Sequence, residues 1–495
     1  MARSLYAQLH QRFSDGDHRL SRREVIGAAL AASASLLISC RSQPRGRAQG
    51  PRVVVVGAGF GGLACAYELR CAGCDVVVVE ARKRVGGRVL SFNAKNGNEF
   101  AAGRNVEGGG ELIGSNHPTW QQYARRFGLK LLDVTESEDP GPIHLRGRAL
   151  SDGEARDLYK GMEPIFAELT REAAGVDAER PWEMGPEIDM VSVAQRLSRI
   201  KGDELALYAA GVQLAADNAV PTARQSLLGM LACIKGGGLE RYWTHSETHR
   251  CEGGNQRLAL ALAREVGKSR VLLGTPVAEI DTEEAVGRVT LADGSVLECD
   301  EVVLAVPPSV WQKIAMRPKL PWQLSPQMGE ASKYLAAVKS RFWEEARRSP
   351  DAFSDGPINE TWDGTDGQRG PGPAVLVGFS GARDSEPRLA DPMLGKRSGT
   401  DRRMQMEALH PGFEGQFMRE AHMDWPRDEW TGAGYSFPSP GEVTRNGPVL
   451  HEGLGRLHFV GEHACYRFCG YMEGGLSSGA AVARRIAGRS GVGVG

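Results

Sequence analysis

The chain has 495 residues, of which 41% are hydrophobic and 24% charged, and its 60 basic and 61 acidic side chains leave a net charge of −1. That length suits about two to four domains. The even charge offers no basic face for a nucleic acid, and a mean hydropathy of −0.32 excludes a polytopic membrane protein. Nine cysteines in so long a chain do not make a disulfide scaffold, whereas the 63 glycines fall in telling clusters.

The first fifty residues read as an address rather than a fold. Ser21-Arg22-Arg23-Glu24-Val25-Ile26 is a twin-arginine pattern, and the apolar run from Ile26 to Ile38 follows it. That run is too short to span a bilayer but has the length of a signal core. Leu37-Ile38-Ser39-Cys40 resembles a bacterial lipobox, which predicts a lipidated Cys40 at the start of an exported, membrane-attached protein. A plain cleaved signal or an uncleaved anchor is the alternative. The twin-arginine route carries folded proteins, so it points to a cofactor inserted before export into the periplasm or an equivalent space. Residues 41–50 form a polar linker.

Arg52 to Val56 is a continuous β-branched run, as a buried parallel strand requires. Gly57-Ala58-Gly59-Phe60-Gly61-Gly62 follows, then a helical pattern, then a second strand from Asp75 to Val79 that ends in Glu80. Each part has a physical task. Gly57 permits the tight turn, Gly59 lets the backbone approach a pyrophosphate, and Gly62 lets helix and strand pack closely. The helix N-terminus presents free N–H groups to the phosphates. Glu80, 18 residues after Gly62, stands where a carboxylate accepts from ribose hydroxyls.

The next segment makes the reading specific. Glu80-Ala81-Arg82 with Arg84-Val85-Gly86-Gly87-Arg88 resembles the flavin amine oxidase family, which includes monoamine, polyamine and L-amino acid oxidases. In that family these residues wrap the FAD pyrophosphate. The resemblance continues through Glu107 to Gly114, where Gly109, Gly110, Glu111 and Leu112 match the segment lining the isoalloxazine ring. It continues at Val277, whose counterpart's backbone touches the adenine, and at Gly461-Glu462 after a predicted strand, Leu457 to Val460. It ends at Gly470-Tyr471-Met472, which opens a terminal helix whose N–H groups would face the flavin. The match spans about 52–488 with its segments in family order.

The resemblance implies an α/β fold: a Rossmann-type FAD-binding domain of the glutathione-reductase/amine-oxidase kind, interleaved with an α+β substrate-binding domain. The FAD domain is expected at 51–135, 250–320 and 445–490. The substrate domain is expected at 136–249 and 321–444, with 151–250 mostly helical. The family's lysine that holds a water at flavin N5 corresponds to Lys333. Trp430 lies in the segment beside the flavin, and Tyr435 and Tyr471 match the two walls of an aromatic cage that aligns the amine. Some relatives carry a flavin-linked cysteine just before the first cage tyrosine. Here that residue is Gly434, so the FAD is expected to be noncovalent.

The implied activity is oxidation of an L-amino acid or small primary amine to the imine. Hydrolysis then gives a 2-oxo acid or aldehyde plus ammonia, and oxygen is reduced to hydrogen peroxide. L-amino acid oxidases place a carboxylate-clamping arginine where this chain has Leu112; Arg104 or Arg250 are the other candidates. The alternatives are a dehydrogenase passing electrons to a membrane quinone or carrier, a polyamine oxidase, a flavin desaturase of the carotenoid or protoporphyrinogen type, and a non-catalytic binding protein on the same fold. A homodimer is compatible with each. Gly475-Leu476-Ser477-Ser478-Gly479 matches a hydrolase pattern but sits inside the predicted terminal helix. The close pairs Cys71/Cys74 and Cys465/Cys469 are expected to be free thiols, and no metal-ligating spacing stands out.

Overall fold

The computed structural model describes residues 3–14, 50–135, 141–368, 370–382 and 399–490. The twin-arginine pattern at 21–26 and Cys40 lie outside the described residues. A five-stranded parallel sheet runs in the order Leu457–Phe459, Glu301–Leu304, Arg52–Val56, Asp75–Glu80, Val271–Leu273. Both of its faces are covered, which is why the first strand is nearly all valine. Val53 and Val55 face helices Phe60–Cys71, Gln256–Val266 and Met472–Arg489. Val54 and Val56 face a four-stranded sheet ordered Val296–Cys299, Gly287–Leu291, Val277–Asp281, Ala315–Arg317. This is the doubly covered arrangement of Rossmann-type domains.

Helices Phe60–Cys71 and Met472–Arg489 meet through small residues. A Cβ on Gly479 would lie 2.3 Å from the Gly61 carbonyl oxygen. The hydrolase-like pattern is therefore a helix-packing stripe, with Ser477 and Ser478 bonding back to the carbonyls of Gly474 and Gly475.

A seven-stranded sheet builds the second unit, ordered Phe417–Asp424, Ala331–Val338, Ala374–Gly381, Glu360–Asp363, Ala352–Ser354, Ile143–Leu145, Arg148–Ala149. Helices Asp152–Ala173, Glu204–Asn218, Leu227–Gly236 and Glu240–His245 pack into a separate core beside it. Ser151 and Glu154 start the longest of these with a reciprocal capping box. No helix among the described residues is long and apolar enough to cross a membrane.

Two findings differ from the sequence reading. Part of the leading segment is folded: helix Leu5–Phe13 buries Leu5, Tyr6 and Leu9 in the helical core. A stretch of nine residues with three inward apolar side chains can dock on an existing core without forming one of its own, and the address motifs masked that signal. Cys71 is disulfide-bonded, while Cys74, Cys465 and Cys469 are free. Cys71 is half-buried at its helix end and reachable, whereas Cys74 is 1% exposed.

Candidate active site

A cavity of about 480 Å³ runs between the two units. One end is the turn after the first strand; the other is walled by Tyr435 and Tyr471. Gly57 holds φ +109°, which only glycine adopts without strain, and a Cβ on Gly62 would lie 2.0 Å from the Gly57 carbonyl oxygen. At Gly59 a Cβ would meet nothing within 4 Å, so the backbone there faces open space. Gly59 and Tyr471 are the N-caps of helices Phe60–Cys71 and Met472–Arg489, and neither helix start has a side-chain cap. Both positive helix ends thus open on the cavity. Glu80 accepts from the amides of Ala58 (2.7 Å) and Arg82 (2.8 Å), one on each carboxylate oxygen. Each oxygen retains a second lone pair for a ribose hydroxyl.

Phe60, Gly61, Ala81, Arg82, Gly86, Gly87 and Arg88 line the same end, and Val277 lines its far tip. Gly62 does not reach the cavity; it packs beneath the turn. Arg82 is held by Asp428 and by Thr431 Oγ1 (2.8 Å). Arg88 donates to the Gly434 carbonyl (2.8 Å) and to Glu462 (2.8 Å).

Glu462 ties the cage together. Its buried carboxylate takes Arg88, the Ser436 hydroxyl (2.6 Å) and the Gly470 amide (2.8 Å), which adjoin Tyr435 and Tyr471 in sequence. Gly470 leaves room for the Tyr435 ring, since a Cβ there would come within 3.1 Å of it. The Tyr435 hydroxyl donates to the Asp217 carbonyl (2.8 Å). Tyr471 is flanked by His117 (5.3 Å between ring centres) and Tyr242 (6.4 Å). Burial pushes His117 down to about 3, so its ring brings no positive charge to the cage. Burial raises both cage phenols well above their ordinary value, so they stay neutral.

Lys333 lies on the fully buried strand Ala331–Val338 and is itself 4% exposed. Its ammonium donates to Glu111 (2.6 Å), the Gly109 carbonyl (2.7 Å) and, more weakly, the Glu107 carbonyl (3.4 Å). Glu111 also pairs with Arg250 (2.8 Å) and accepts from the Trp362 indole (2.9 Å). Burial alone would raise the Glu111 carboxyl, but the two cations outweigh it and hold it below the usual range. The lysine is therefore locked into a protein network, a partner set the sequence does not reveal. Asn255 fixes the glycine segment by donating to the carbonyls of Gly110 and Glu111.

Trp430 lines the cavity beside Lys313, whose ammonium is 5.1 Å from its ring centre. Trp425 is the tryptophan that packs on the glycine segment, donating to the Gly108 carbonyl (3.0 Å) near the Lys333 contacts. Leu112, Gly461 and Met472 also line the cavity. Arg104 is spent on the carbonyls of Gln368, Gly370 and Pro373, and Arg250 on Glu111 and the Asp363 carbonyl. Neither faces a substrate. The tyrosine end instead carries Glu247, with Asp217 behind it. Burial raises these carboxyls to about 8 and about 6.

A long dinucleotide fits this cradle. It has glycine backbone facing open space, two uncapped helix starts, and Glu80 at the ribose position. Among the described residues neither cysteine nor histidine lines it. A Cβ at Gly434 would come within 2.9 Å of the Ala331 backbone, so no larger residue fits there.

Comparison with known proteins agrees with this geometry. The family described as flavin containing amine oxidoreductase matches residues 60–487. A Mycobacterium tuberculosis chain named as a flavin-containing monoamine oxidase, AofH, is 30% identical over 88% of this chain and 96% of its own length. The flavin-containing amine oxidase of Danio rerio is 28% identical over 88% and 85%. Among solved structures, a redesigned variant of putrescine oxidase superposes with a TM-score of 0.78 at 25% identity, covering 89% of this chain and 99% of its own. Cyclohexylamine oxidase from Brevibacterium oxydans shares the fold, with a TM-score of 0.76 at 24% identity and the same coverage.

Proposed function

The chain belongs to the flavin-containing amine oxidoreductases and uses FAD, and on that premise we propose that it oxidises a cationic amine, rather than an L-amino acid, with oxygen as acceptor. The overall change is amine plus oxygen and water to aldehyde, ammonia and hydrogen peroxide. The chemistry that FAD would supply when bound is a two-electron acceptor for the amine's α-carbon–hydrogen bond and a donor to oxygen. The protein's own part is orientation and exclusion of water. Tyr435 and Tyr471 present two π faces, which favour an amine nitrogen and repel a carboxylate. Lys333 brings its ammonium to the Gly109 carbonyl, where a positive charge favours an anion formed from oxygen.

One observation carries the choice of amine. Among the described residues every cation lining the cavity is already committed: Arg82 to Asp428, Arg88 to Glu462, Lys313 to the Glu429 carbonyl, and Lys333 to Glu111. The tyrosine end carries carboxylates instead. A substrate carboxylate would enter that end without a cationic partner, whereas an ammonium finds the Glu247 carboxyl as an acceptor.

Peroxide release from the purified holoenzyme in air tests this, with monoamines, polyamines and the common L-amino acids as the panel. Peroxide from amines alone is expected. Peroxide from L-amino acids alone overturns the proposal. Bleaching of the flavin without peroxide would instead establish a dehydrogenase.

A further inference from the structure

We propose that residues 3–13 are an intramolecular plug over the amine chamber, present in the intact chain and removable with its leading segment; this rests on the amine reading above. The main cavity ends at Tyr471 and Glu247. The same two side chains form one wall of a second chamber, which Arg3, Ser4 and Ala7 close from the other side. With the segment seated, that chamber holds about 20 Å³, room for roughly one water. An amine that extends past the cage toward Asp217 and Glu247 has no space while the segment is there.

The contact is built rather than incidental. Ser4 caps the helix, its hydroxyl accepting from the Ala7 amide (3.3 Å), and the Ser4 backbone hydrogen-bonds Glu247. The Tyr6 amide donates to Gln213 (2.9 Å), which in turn donates to Asp217 (3.2 Å). Tyr6 packs on Phe166 with ring centres 4.6 Å apart, and Leu5 and Leu9 are 0% and 3% exposed. His10 meets the Tyr159 hydroxyl (3.0 Å), and Arg12 pairs with Asp152 (2.9 Å). Arg3, 9% exposed, brings a guanidinium into the field of Glu247. A segment that presents a cation to an acidic chamber imitates the ligand class that chamber would take. The predicted export signal and Cys40 follow directly in sequence. Cleavage there would carry the plug away, so the precursor is closed and the processed enzyme open.

The test uses one folded molecule in two states. A protease site is introduced after Ser14 in the full-length, FAD-loaded protein, and release of the segment is followed by mass spectrometry. Two readouts are taken before and after cutting: the amine KM from peroxide release, and calorimetric affinity for tetramethylammonium, which needs no turnover. Release is expected to lower KM and tighten tetramethylammonium binding at least tenfold. A synthetic peptide of residues 1–14 restores both values, and the same peptide carrying Leu5→Asp and Leu9→Asp does not. If cutting strips the flavin, or the cut segment stays bound, Leu9→Asp in the intact chain repeats the comparison. Unchanged KM and unchanged tetramethylammonium affinity overturn the plug. No peroxide from any amine, with tetramethylammonium binding still tightened, would sink the oxidase reading and leave the plug standing.

Discussion

Replacing Glu111 by glutamine strands two buried cations. Glu111 has no exposed side-chain surface, and Lys333 and Arg250 are each 5% exposed, so solvent screens neither contact. Removing one member of a buried pair costs about 3–5 kcal/mol. Lys333 keeps the Gly109 carbonyl at 2.7 Å and Arg250 keeps the Asp363 carbonyl at 2.9 Å, which places the expected loss at the lower end. A loss of about 3 kcal/mol is a shift of roughly a hundredfold in the folding equilibrium. Urea unfolding followed by tryptophan fluorescence reads it, since Trp362 donates to the same carboxylate. The decisive comparison is Glu111→Gln with Lys333→Met. If the cost is an orphaned cation, the double variant is more stable than Glu111→Gln alone. Additive losses, or a single-variant loss under about 1 kcal/mol, would refute the reasoning.

Three further outcomes are expected. Gly62→Ala puts a Cβ 2.0 Å from the Gly57 carbonyl oxygen, so purified protein should carry less than about a tenth of the wild-type flavin absorbance per chain. Burial raises Glu247 to about 8, and its carboxylate form gains population as pH rises toward and through that value. Affinity for a cationic amine should therefore climb between about pH 6 and 9, and Glu247→Gln should flatten that climb by roughly tenfold in KM. Burial raises Glu107 from its ordinary 4.5 to about 7. The folded state then binds more protons than the unfolded one between those values, so its protonated form contributes stability below pH 4.5 that is lost as pH rises through 7. The total loss amounts to about 3 kcal/mol, and Glu107→Gln should abolish it in unfolding curves across that range.

The nucleotide end was legible because its glycines answer to backbone geometry a few residues away. Gly57 needs a positive φ and Gly62 has no room for a side chain, and such demands leave a spaced motif. The cage tyrosines and Lys333 were legible only through resemblance. What was hidden is the set of side-chain pairings between distant segments. Lys333 meets Glu111 across 222 positions, and Asn255 meets the glycine segment across 144. No local periodicity records such pairs. Trp430 and Trp425 are five positions apart in one loop, and only the path of that loop decides which one touches the Gly108 segment. The docking of Leu5–Phe13 depends on a core formed by residues more than a hundred positions later.

Glu462 has a consequence for the order of assembly. One carboxylate is the meeting point of Arg88, on the loop that cradles the dinucleotide, and of the Ser436 and Gly470 strands of chain that carry the two tyrosine walls. Arg88, Ser436 and Gly470 lie far apart in the chain, so the cradle loop and both tyrosine walls settle on one anchor together, and a side chain lost at Glu462 loosens the grip on the dinucleotide and the grip on the amine at once.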